Sequence, residues 1–153
     1  MDLARLRFGD WVMGISGLAV LLVMFLDWYE VPTVAGTTGL NAWESFAVND
    51  VILALAAVMA IAAFIAAATQ PTAAVPLALA SLAALVAIIA LVLITIRVIW
   101  PPDLVEGLET GRETGAWLGL VAIAALVGGC MVSIRDERLP KPEHPVEPRF
   151  VQL

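Results

Sequence analysis

Charge is scarce in this chain. Only 14% of its 153 residues are Asp, Glu, Lys or Arg, and 61% are hydrophobic. A typical soluble domain carries about 25% charged residues. Mean hydropathy is +0.96, so a conventional water-soluble domain is excluded. Cysteine and histidine are nearly absent. The single cysteine, Cys130, cannot close an intrachain disulfide, and His144 is the single histidine. No Cys/His spacing offers a metal set, and there is no GxSxG, HExxH or phosphate-cradling glycine loop. Ser81 and Thr95 have no base in evidence, so their hydroxyls are expected to bond back to helix carbonyls. The chain is therefore expected not to be an enzyme, to hold no cofactor, and, with a net charge of −6, not to bind nucleic acid. Its apolar stretches also lack a mid-run carboxylate or histidine, the usual mark of proton-coupled transport.

What is present is four long apolar stretches, at about 11–27, 50–69, 73–100 and 115–134. At a rise of about 1.5 Å per residue, each approaches or exceeds the ~30 Å hydrocarbon core of a bilayer. Two arginines precede the first stretch, but it is long and lacks a small-x-small site, so it is expected to stay as a span. The fold expected is all-α: a four-helix transmembrane bundle spanning residues 1–134, followed by a flexible, proline-rich tail at 135–153. Arg5, Arg7, Arg135, Arg138, Lys141 and Arg149 flank the termini, which places the N- and C-termini in the cytoplasm. Eight acids and only Arg97 and Arg112 then fall on the outer side, leaving six negative charges there. Such a surface attracts cations, or records only that translocated loops avoid Lys and Arg.

Local signals fill in the connections. Trp11 and Trp28 are 17 positions apart, about 25 Å of helix, and so suit the two headgroup layers. The first outer loop forms a short hairpin or an irregular loop around Ala35–Gly39. Asn41 and Glu44 make a capping box for a short helix over about 42–48, and Thr110 and Glu113 offer another before the fourth span. Gln70-Pro71-Thr72 is a tight uncharged turn, and Pro76 fits a first helical turn. Small residues recur four apart at Ala56/Ala60, Ala63/Ala67, Ala80/Ala84, Gly115/Gly119 and Ala125/Gly129. In lipid such stripes allow close helix approach, within the chain or between copies.

Three groups of residues are candidate sites. Asp27, Glu30, Asp50 and Arg97 share one depth and form a candidate outer ion-pair cluster, as a structural lock or the wall of a pocket. Trp28, Tyr29, Trp43 and Phe46 form a candidate outer interaction surface. In the tail, Pro142, Pro145 and Pro148 repeat every three residues and stack on one edge in polyproline II geometry, a candidate docking edge or a solubilising tail.

Two families share parts of this pattern. Trp28 followed by Gly39-Leu40-Asn41-Ala42-Trp43 resembles claudins, but their first loop is much longer, forms a sheet and carries a cysteine pair, so that match is set aside. Leu26-Asp27-Trp28-Tyr29, then Ala42-Trp43-Glu44-Ser45-Phe46 and Asp50, is similar to small uncharacterised actinobacterial-type tetraspan membrane proteins. That resemblance covers the first two spans and implies a multi-pass protein of a bacterial plasma membrane, with no activity attached. The role expected is structural or accessory, with the lipid bilayer and a second copy or another membrane protein as partners. The alternative is a passive channel or transporter subunit with an acidic outer vestibule. Tags fused at Met1 and Leu153 are expected to be labelled only after permeabilisation; labelling of both on intact cells would reverse the orientation.

Overall fold

A computed structural model describes residues 6–34, 36–45, 48–70, 72, 74–101 and 110–138. The chain is mostly helical. Helix α1 spans Phe8–Val23; strands β1 (Asp27–Thr33) and β2 (Gly36–Asn41) follow, then the short helix α2 (Ala42–Ser45). Helices α3 (Asn49–Thr69) and α4 (Ala74–Ile99) come next, then β3 (Gly111–Arg112) and α5 (Thr114–Arg138). Three helices, α3, α4 and α5, are long and apolar enough to cross a membrane.

Two expectations need correction. The fold is not purely helical: β2, β1 and β3 form a three-stranded antiparallel sheet in that order. The loop takes this form because Gly36 adopts φ +132°, a conformation open to glycine, and so turns the hairpin between Thr33 and Gly36. Secondly, α1 has 16 residues, about 24 Å, and starts and ends earlier than the 11–27 stretch. The chain turns at Met24–Leu26 so that Trp28 can enter the core from β1, and Ala42 N–H donates to the Met24 carbonyl at 3.2 Å.

Other elements follow the sequence closely. Asn41 and Glu44 form the expected capping box, each backbone N–H donating to the other's side chain at 3.1 Å. Pro76 lies in the first turn of α4, and the hydroxyls of Ser81 and Thr95 donate to Leu77 and Leu91 carbonyls. Gly111 and Arg112, between the Thr110 and Glu113 of the expected cap, pair with β1, and α5 continues through 135–138, where a tail was expected. Residues 139–153, with Pro142, Pro145 and Pro148, lie outside the described residues, as does Phe46.

The helices pack as antiparallel neighbours in the order α1, α3, α4, α5, and α5 closes against α1. The sheet covers the end where α1 and α4 finish. Ala56, Ala57, Ala60, Ala63, Ala80, Ala83, Ala84, Ala87 and Ala90 are buried between helices, so the alanine stripes are used within the chain. Ala125 is the exception among the small pairs and is exposed.

Helices α1 and α5 approach closest. A Cβ on Gly129 would lie 2.6 Å from the Met13 backbone nitrogen, and one on Gly9 would overlap the Ser133 backbone. At that end Ser133 donates its hydroxyl to Asp10 at 2.5 Å, and Asp10 also accepts the Arg7 N–H at 3.0 Å. Both side chains are buried, so the pair satisfies two polar groups that could not remain bare there.

Gly129→Ala is expected to destabilise the protein in detergent by about 1–3 kcal/mol, since backbone cannot move aside. Gly128→Ala, which meets nothing within 4 Å, is expected to be neutral or to stabilise by up to about 1 kcal/mol. Thermal unfolding of the two variants side by side checks both.

Candidate functional site

Every singled-out residue that the structure describes lies at the sheet end. There the orphan carbonyls of two helix C-termini need donors. Trp28 supplies a donor at the end of α1: its indole Nε1–H donates at 2.9 Å to the Val23 carbonyl, which also accepts the Leu26 N–H at 3.1 Å. Tyr29 supplies another, its hydroxyl donating to the Arg97 carbonyl in the last turn of α4 at 3.0 Å. Neither side chain is exposed. They are therefore not the outer interaction surface expected from the sequence, and Trp28 is not an interfacial anchor. The reason is steric as well as polar. Gly115 and Gly119, four apart on α5, leave a notch that the Trp28 ring fills; a Cβ on Gly119 would overlap it. An aromatic ring with its polar tip satisfied is more stable in such a notch than at an interface.

The glycine pair was read as a helix-packing stripe. It receives an indole instead, and a notch four residues long opposite a loop tryptophan is the signal that could have revealed it.

Trp43 remains outside. It is 41% exposed, with its ring centroid 6.3 Å from that of Phe25, which is 68% exposed. Trp100 after α4 and Trp117 in the first turn of α5 are exposed at the same end.

The four charged residues occupy separate settings. Asp27 is exposed, its carboxyl against Gly39 across the hairpin, and Glu30 is half-buried beside Gly111. Asp50 is buried in the first turn of α3, where Val51 N–H donates to it at 2.7 Å. A carboxylate there meets the positive end of the helix dipole. Arg97 is half-buried in the last turn of α4. Among the described residues no hydrogen bond or ion pair joins Arg97 to the three acids.

Arg112, which the sequence marked only as an outer charge, closes the end of α4. Its Nε donates to the Val98 carbonyl at 2.5 Å and its Nη2 to the Ile99 carbonyl at 2.8 Å. A helix stopped by proline without a capping glycine, followed by a loop holding one arginine, is the pattern that calls for this. Glu113 N–H then donates to the Trp28 carbonyl at 2.9 Å, which fastens the start of α5 to β1.

Burial raises the Tyr29 phenol from 10.0 to about 12, against the opposing pull of the Arg97 and Arg112 charges. Among the described residues no group of three His, Cys, Asp or Glu could hold a metal ion. The site's chemistry is hydrogen bonding to helix ends.

A second feature lies on the side of the helical body. Between α1 and α5 runs an outward-facing groove of about 420 Å³, lined by Val12, Ile15, Ala19, Leu118, Val121 and Ala125 among others. Its one hydroxyl, that of Ser16, is turned back onto the Val12 carbonyl at 2.6 Å, so the lining is apolar throughout.

No family model, curated protein or solved structure matches the chain.

Tyr29→Phe is expected to cost about 0.5–1.5 kcal/mol, because it leaves the Arg97 carbonyl unpaired. The sign of the pH effect follows from the raised phenol. The folded state keeps its proton between pH 10 and about 12 while the unfolded state has lost it. The stability linked to Tyr29 is thus fully present below pH 10 and is lost as pH rises towards 12. Unfolding followed across that range should show a steeper loss of stability in the parent than in Tyr29→Phe. Gly119→Val is expected to lower the unfolding temperature more than Tyr29→Phe does, since the indole loses its notch.

Proposed function

We propose that the chain is a non-enzymatic accessory protein of a bacterial plasma membrane that holds a helix of another membrane protein, or of a second copy, against its α1–α5 face. In this reading it crosses the bilayer four times, with both termini in the cytoplasm. Helices α3, α4 and α5 supply three crossings by length and composition. The fourth is α1 extended by Phe25 and Leu26, both exposed, so that the apolar surface runs from Phe8 to Leu26.

One observation carries the docking role. Most alanines of α3 and α4 and most small residues of α5 are covered inside the chain; Ala74 and Ala78 at the start of α4 are exposed, and so are Ala124, Ala125 and Gly128 on α5, which lie beside the apolar groove. A Cβ on Gly128 would meet nothing within 4 Å. Ala124 and Gly128 are four apart, the spacing at which one helix backbone closely approaches another in lipid. The groove beside them gives large side chains of that helix a place to enter. The exposed Phe25–Trp43 pair adds an aromatic contact at the sheet end.

The channel alternative has less support. Leu53, Ala57, Ala87, Ile94, Ile123 and Leu126 fill the middle of the helical body, each at most 1% exposed. Ion flux into liposomes carrying the protein is expected to equal that of empty vesicles.

Crosslinking tests the docking face directly. In a Cys130→Ala background, Ala125→Cys should form an adduct with a second protein or a second copy in native membranes. Ile88→Cys, on the exposed face of α4, should form little. Adding Gly128→Leu should abolish the adduct at position 125 while leaving thermal unfolding unchanged. Equal adducts from positions 88 and 125, or none from 125, would overturn the proposal.

A further inference from the structure

We draw no further inference here: the strongest candidate, the apolar groove between α1 and α5 lined by Val12, Ile15, Ala19, Leu118, Val121 and Ala125, belongs to the face already described, and nothing in the structure shows what covers it.

Discussion

The Trp28 ring in its glycine notch ties β1 to the ends of two helices, α1 and α5, that also pack closely along their length. The ring lies against Gly115 and Gly119 of α5, its N–H donates to Val23 at the end of α1, and its backbone carbonyl accepts Glu113 N–H at the start of α5. The neighbouring residue, Tyr29, reaches α4. A short strand thus touches the ends of three helices through two adjacent side chains. Without Cβ-free positions on α5 the indole would stand off the helix, and β1 would lie too far out for Tyr29 and Arg112 to reach the α4 carbonyls.

The sheet end obeys one rule, that backbone polar groups near lipid must find partners within the chain. Helix α4 ends ahead of a proline and leaves carbonyls at Arg97, Val98 and Ile99. Tyr29 and Arg112 take them, and both come from outside the helix. Strand pairing serves the same need for the loop itself, since β1 exchanges hydrogen bonds with β2 on one side and β3 on the other. At the opposite end the Ser133 hydroxyl and the Arg7 N–H both donate to the buried Asp10 carboxylate.

Periodicity and length made the helices legible because lipid imposes a single requirement on a span: enough apolar residues in a row. Local chemistry was equally plain where it was self-contained, as in the Asn41–Glu44 capping box and the Ser81 and Thr95 back-bonds. Contacts that depend on two distant segments meeting were not legible. Trp28 at the end of an apolar run suits an interface as well as a notch, and only the position of Gly119, 91 residues further on, decides between them. Arg97 and the acids were grouped by depth alone, and depth says nothing about position around the helix ring; among the described residues no hydrogen bond or ion pair joins Arg97 to them. Likewise the Thr110–Glu113 stretch has the pattern of a cap, and its two middle residues, Gly111 and Arg112, pair with β1 as a strand.

The seam between α1 and α5 shows how internal needs shape an external face. It is fastened at one end by Asp10 and Ser133 and at the other by Trp28, and in the middle Gly129 lets the Met13 backbone come close. Helices held at both ends cannot rotate to bury their remaining apolar residues, so Ile15, Leu118 and Val121 stay outward and the groove between them stays open. Its shape is thus set by contacts that lie elsewhere and exist before anything binds. A surface that needs no reordering loses little conformational entropy on association, so even modest van der Waals contact in lipid can be retained as net affinity. In the proposed reading the exposed small residues on α5 are favoured over the exposed Ala74 and Ala78 of α4 because they adjoin this groove.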